Sequence, residues 1–234
     1  MAASPFVHGV PLPGRVLTRH RSAWSEHRVP ARLITIEGID GAGKTTLAAG
    51  LLEALLGRGI EAVALREPGG VALAERIRTL VKDPELEIAD RAEALLYAAS
   101  RAQLVAERVE PSLAVGRWVL LDRYVDSSLA YQGAGRALGV DAVAAINHFA
   151  TGGLAADRTL LLAIEPAAGR ARRGVRGEDA DRLEREADEF FARIAAGYRA
   201  LAAAEPGRVR VLDAARTPDE VLEAALAELA DLLG

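Results

Sequence analysis

The stretch Leu33-Ile34-Thr35-Ile36-Glu37-Gly38-Ile39-Asp40-Gly41-Ala42-Gly43-Lys44-Thr45-Thr46 decides how this chain folds. Its first four residues form an apolar run of strand length, while the residues from Thr45 to Leu56 favour helix and are closed by Gly57 and Gly59. Between them, Gly38 to Thr45 match G-x-x-x-x-G-K-[ST] in the strand–loop–helix setting that gives this pattern its meaning. The glycines let the backbone curl so that successive N–H groups face phosphate oxygens, the helix N-terminus adds its positive dipole end, and Lys44 reaches the outer phosphates. Thr45 is then a ligand for Mg²⁺. A glycine turn that merely joins strand to helix explains Gly41 or Gly43 singly, but not Lys44 and Thr45 in register.

Further strands are predicted at residues 60–65, 118–121, 159–164 and 209–212, separated by helical pattern rich in Ala, Leu, Glu and Arg. Strands alternating with helices imply an α/β fold: a P-loop three-layer αβα arrangement with a central five-stranded parallel sheet and helices on both faces. Pro111 interrupts the helical stretch 89–115, which predicts a kink or a boundary there. The third strand, Trp118-Val-Leu-Leu, runs into Asp122, an acid at a strand's carboxyl end beside the phosphate loop, expected to hold Mg²⁺ through water.

The 234 residues are 50% apolar and 26% charged, with a net charge of −4, as suits one ordinary globular domain. No run approaches the roughly 20 apolar residues of a membrane helix, and the near-neutral charge gives no reason to expect nucleic acid, so neither is expected as a partner. The absence of cysteine excludes disulfides, thiolate metal sites and a cysteine nucleophile. Among 27 arginines, only Lys44 and Lys82 are lysine. Residues 1–31 differ in kind, with Pro5, Pro11, Pro13 and Pro30, three of the four histidines and one acid, Glu26. They are expected to be a disordered or loosely attached extension, leaving residues 32–234 as the P-loop domain.

A phosphate loop does not name a reaction. Asn-Lys-x-Asp, which reads guanine, and the transporter signature Leu-Ser-Gly-Gly are both absent. Arg66 in Arg66-Glu-Pro-Gly-Gly70, Arg101 in the long helical stretch and Arg123 beside Asp122 instead suggest a second anion pocket. Tyr97 and Arg101 are four apart and share a helix face, so one ring can cover a base while one guanidinium reaches its phosphate.

These residues resemble the thymidylate kinases, closely the bacterial kind. The resemblance covers about residues 32–233 and rests on REPGG at 66–70, on Asp122-Arg-Tyr124 running into Asp126-Ser-Ser-Leu-Ala-Tyr-Gln-Gly133, and on Arg136. It implies that Arg66, Arg101 and Arg123 hold the acceptor monophosphate, that Tyr97 stacks on thymine, and that Arg78 and Gln132 hydrogen-bond the base, with Ser128 beside it and Glu67 and Tyr131 completing the dTMP site. The ATP site takes Gly38, Ile39, Asp40, Gly41, Ala42, Gly43, Lys44, Thr45 and Thr46 from the loop and Arg182 from beyond it; Thr45 and Asp122 hold the metal. Tyr97 stands where phenylalanine is commoner.

A second basic cluster, Arg170, Arg172, Arg173, Arg176 and Arg182, around Gly174 and Gly177, reads as a short helical lid over about residues 166–186. Because the phosphate loop carries Gly41 and no arginine, the resemblance implies the type whose catalytic arginine comes from the lid, with Arg173 and Arg176 the candidates. The expected reaction is ATP + dTMP → ADP + dTDP in the cytoplasm by a homodimer, the dimer being implied by the resemblance. A monophosphate acceptor is already an anion, so cations, Lys44 and Arg123 among them, do most of the catalysis. Asp40 then orients the acceptor sugar, a metal water or Arg123. A thymidine kinase, with Glu67 as its base, and a non-catalytic nucleotide-binding regulator are the rival readings.

Overall fold

The structure is a computed structural model describing residues 30–174, 181–183 and 185–233. Apart from Pro30 and Ala31, the expected extension lies outside the described residues. Strands β1 (Leu33–Glu37), β2 (Ala62–Arg66), β3 (Trp118–Asp122), β4 (Arg158–Ala163) and β5 (Val209–Asp213) form one all-parallel sheet in the order β2-β3-β1-β4-β5. Helix α1 (Lys44–Gly57) follows β1. Helices α2 (Ala72–Lys82), α3 (Asp90–Leu104) and α4 (Glu110–Ala114) link β2 to β3, and α5 (Val125–Ser128) and α6 (Val140–Thr151) link β3 to β4. Then α7 (Pro166–Gly174) and α8 (Asp188–Ala204) precede β5, and α9 (Pro218–Glu228) and α10 (Ala230–Leu233) follow it.

All five predicted strands are present. The second starts at Ala62 and not at residue 60, because the Ile60 N–H donates back to Leu55 O at 3.0 Å and closes α1. The break at Pro111 takes the form of a widened turn: residues Val105–Val109 are π-helical and run directly into α4, where Pro111 sits in the first turn. Proline has no N–H for the carbonyl four residues back, and one extra residue in the ladder lets the helix continue past it.

Alternation along the strands divides the core. Ile34, Ile36, Trp118, Leu120, Leu160 and Leu162 face α1 and α9, against Leu47, Leu51, Leu55, Val221 and Ala225. Leu33, Val119 and Leu121 face the other way, onto Leu104, Val105 and Val109, and Leu161 packs with Phe190, Ile194 and Tyr198 of α8. Each fully buried aliphatic side chain contributes roughly 1.5–3 kcal/mol, so two covered faces make the sheet a rigid base for the loops at its carboxyl ends. A buried polar line ties α5 to that base. Thr35 and Thr159 hydroxyls lie 2.7 Å apart, Thr159 Oγ1 donates to Asp126 Oδ2 at 2.9 Å, and Arg208 donates to the same carboxylate at 2.7 Å.

Candidate active site

The phosphate loop leaves the middle of the sheet, where β1 lies between β3 and β4 and Ile36 pairs in register with Asp122. Its bend needs glycine. Gly38, Gly41 and Gly43 have φ of +136°, +83° and +97°, and a Cβ on Gly38 would lie 2.6 Å from Leu162 O. Helix α1 starts at Lys44 with no side chain capping it and no acid in its first turn, which leaves its N-terminal N–H groups free for an anion. Lys44 is buried, and its Nζ donates to Ile39 O at 2.9 Å. Burial, with Arg123 nearby, pushes its ammonium down to about 8 against the opposing pull of Asp40 and Asp122. Thr45 Oγ1 donates to Asp122 Oδ2 at 2.9 Å, so a hydroxyl and a carboxylate converge at the mouth of the loop.

Arg123 follows Asp122 in a left-handed conformation, φ 71°, rare for a residue with a Cβ. Its guanidinium donates to Asp40 Oδ1 at 2.6 Å, Gly38 O at 3.1 Å and Ser127 Oγ at 3.1 Å, and lies 5.1 Å from the Tyr131 ring centre. Burial alone would raise the Asp40 carboxyl; Arg123 and Lys44 hold it well below the usual carboxylate range. The segment after Arg123 is anchored by Glu37, fully buried at the end of β1. Glu37 accepts from Tyr124 N at 2.7 Å, Ser127 Oγ at 2.6 Å and Tyr198 Oη at 2.9 Å. Burial, aided by Asp126, pushes its carboxyl up to about 7.

A cleft of about 240 Å³ runs from this loop across the ends of β2 and β3 to α2 and α3. Asp40, Lys44, Thr45, Asp122 and Arg123 line one end; Arg66, Arg78, Tyr97, Ser128 and Gln132 line the rest, with Glu67, Arg101 and Tyr131. Arg66 and Arg78 both donate to Pro68 O, at 3.2 and 3.0 Å, beyond a cis Glu67–Pro68 bond, and Arg66 also pairs with Glu75 at 2.8 Å. Arg101 is only 1% exposed. Its Nε donates to Glu67 Oε2 at 2.7 Å, its Nη1 to Ser128 Oγ at 2.9 Å and to Asn147 Oδ1, and its Nη2 to Tyr124 O at 2.8 Å, with Glu67 Oε2 2.6 Å away. Burial raises the Glu67 carboxyl against the pull of Arg101. Gln132 Nε2 donates to Glu93 Oε1 at 2.8 Å, and Glu93 is wholly buried.

The thymidylate kinase family model matches residues 36–225 of this chain. The chain belongs to the thymidylate kinase family. It is 44% identical over 202 residues to the thymidylate kinase of Halorhodospira halophila, covering 86% of this chain and 94% of that one. It is 50% identical over 192 residues to that of Leifsonia xyli, covering 82% and 91%. The crystal structure of thymidylate kinase from Ehrlichia chaffeensis superposes with a TM-score of 0.69 at 27% identity, covering 86% of this chain and 99% of that one.

Most residues expected from the thymidylate kinase resemblance line this cleft; Gly38, Ile39, Ala42 and Thr46 do not, the first three being buried and Thr46 exposed. Arg182, expected at ATP, instead donates to Glu93 Oε2 at 2.5 Å and to Val81 O at 3.1 Å, so its guanidinium serves the α2–α3 side. Of the two lid arginines, Arg176 and the side chain of Arg173 lie outside the described residues. Sequence reading missed Lys82, which lines the cleft and pairs with Asp181 at 2.7 Å, and Ser127, which bridges Arg123 and Glu37. The signal for Lys82 was its rarity among arginines. Glu37, Glu93 and Asn147 gave none, because each acts through a partner distant in sequence.

Proposed function

We propose that this chain transfers the γ-phosphoryl group of ATP to dTMP, giving ADP and dTDP. One observation carries the reading: the phosphate loop and a cleft with a ring, Tyr97, and cations, Arg66 and Arg123, are continuous, so donor and acceptor phosphates meet between Lys44 and Arg123. The acceptor oxygen is already anionic, and the obstacle is repulsion between two anions. Lys44 and Arg123 offset that charge from fixed positions, and Asp40 holds Arg123 in line. Arg66 and Arg123 take the acceptor phosphate. Arg101, held by four hydrogen bonds and its ion pair to Glu67, reaches it only by exchanging a partner such as Ser128. Tyr97 stacks on thymine, Arg78 and Gln132 meet its polar edge, and Tyr131 backs Arg123. The catalytic lid arginine is Arg173 or Arg176, and Arg182 reaches ATP only by leaving Glu93.

Thr45 and Asp122 suit Mg²⁺, a hard ion that takes few protein oxygens and completes its shell with water and phosphate oxygens. Among the described residues no group of three or more His, Cys, Asp or Glu could hold a metal by itself, which fits an ion carried in with the nucleotide. Bound there, Mg²⁺ would neutralise phosphate charge.

A homodimer through the α2, α3 and α6 layer is part of the same reading. These helices pack side by side and leave Leu73, Leu80, Leu95 and Phe149 exposed, Phe149 at 90%. No described helix is long and apolar enough to cross a membrane, and a cytoplasmic location follows from the nucleotide chemistry proposed.

ADP release should be measured with ATP and Mg²⁺ against dTMP, dUMP, dCMP, AMP, GMP and thymidine. Selective turnover of dTMP is expected. Turnover of thymidine alone would make Glu67 a base and this a nucleoside kinase, and turnover of nothing would leave a nucleotide-binding regulator.

A further inference from the structure

Glu93, on α3, is wholly buried and touches no part of the phosphate chemistry, yet three donors from distant segments converge on it. Gln132 Nε2 lies 2.8 Å from Oε1, Arg136 Nη2 3.0 Å from Oε2 and Arg182 Nη2 2.5 Å from Oε2. Paired with two guanidinium groups, it is a carboxylate that only accepts hydrogen bonds. An acceptor-only partner admits one orientation of a side-chain amide: the NH₂ of Gln132 faces Glu93 and its Oε1 faces the opposite way. Gln132 is 2% exposed and lines the cleft beside Ser128, so the group it offers a base is a carbonyl acceptor.

Thymine has one donor on its pairing edge, N3–H, flanked by acceptor oxygens. Cytosine reverses two of these atoms, with an acceptor at N3 and an amino donor at C4. A fixed carbonyl from Gln132 therefore matches thymine at N3–H and opposes cytosine at N3. Without Glu93 the amide could turn and present its NH₂ to cytosine N3. We infer that Glu93 is a positioning residue for base selection: it locks the Gln132 amide with its oxygen toward the acceptor base and so sets the preference for thymine over cytosine. This rests on the proposed contact of Gln132 with the base.

The test compares steady-state kinetics of full-length wild type, Glu93→Gln and Gln132→Ala with dTMP, dCMP and ATP, beside thermal unfolding of each. Gln at 93 keeps the volume but can donate as well as accept, which releases the lock. Glu93→Gln is expected to raise KM for dTMP about tenfold and to lower the dTMP-to-dCMP ratio of kcat/KM at least tenfold, in keeping with the cost of one mispaired polar group. A purely structural role would lower both acceptors together and leave the ratio where it was; that result overturns the inference. If Gln132→Ala raises KM for dTMP and Glu93→Gln changes neither KM nor ratio, the inference fails while the base contact stands. If Gln132→Ala changes nothing, the base contact itself fails. Should Glu93→Gln not fold, the side-chain ¹⁵N resonance of Gln132 in the wild type decides. Its hydrogen-bonded N–H proton should persist with little shift on dTMP binding, and its loss or a large shift would overturn the lock.

Discussion

The carbonyl oxygen of Gly169 in α7 lies 2.1 Å from where a Cβ on Gly41 would stand, and a Cβ on Gly169 would in turn stand 2.8 Å from Asp40 O. The phosphate loop and the start of α7 therefore touch backbone to backbone, and the loop has no room for an arginine at position 41. Gly41 also needs φ +83°. Gly41→Ala is expected to cost about 1–3 kcal/mol of stability through overpacking and strain and to lower kcat at least tenfold. Thermal unfolding and ADP-release assays check both effects, and an alanine variant with wild-type kcat would show that the contact does not bear on the reaction.

Lys44 should be visible in the pH profile. Its ammonium is pushed down to about 8, first by burial, so the cation is present below that pH and lost above it. The value of kcat/KM for ATP, which reports ionisations of the free enzyme, should fall as pH rises through about 8. Lys44→Arg should remove that limb, since arginine stays charged. Lys44→Ala should lower turnover by about 10²-fold or more at any pH, because one aimed cation at a transferring phosphoryl group is lost.

Glu37 links stability to pH in the opposite sense from an ordinary paired carboxylate. Its carboxyl is pushed up to about 7 from an ordinary value of 4.5, so between these values the folded chain holds a proton that the unfolded chain has released. Stability then falls as pH rises through this window and stays lower above it. Glu37→Gln has no such titration, so the variant's melting temperature should gain on the wild type between pH 5 and pH 8. A difference independent of pH would contradict the assignment. The variant should also lose kcat, because Glu37 holds Ser127, which holds Arg123.

Tyr97→Ala should raise KM for dTMP about tenfold or more, from the loss of roughly 1–3 kcal/mol of stacking, with KM for ATP unchanged. Tyr97→Phe should keep both within about twofold, because the ring and not the hydroxyl meets the base. Equal changes in both KM values would refute the stacking role.

Removal of residues 1–31 is expected to leave kcat unchanged. The family match begins at residue 36, and Arg32 already anchors the domain edge by an ion pair to Asp157 at 2.9 Å. A large loss would make that segment part of the site or of the dimer.

The strands, the phosphate loop and its placement between β1 and α1 were all legible in the chain, since each rests on periodicity or on short-range backbone conformation. Ile34, Ile36 and Leu120 on one face with Leu33, Val119 and Leu121 on the other are buried together only in a covered parallel sheet, and Gly38, Gly41 and Gly43 mark where the backbone must turn left-handed. The arginines were legible as cations but not as to what they hold. Arg101 pairs with Glu67, 34 residues away, Arg182 with Glu93, 89 away, and Glu37 with Ser127, 90 away. A buried charge takes whichever partner packing brings within about 3 Å, and no local pattern encodes that distance. So the order of the residues along the chain sufficed for the fold and the donor loop, while the partners of Glu37, Glu67 and Glu93 depended on how β1, α3, α5 and the segment before α8 come together in space.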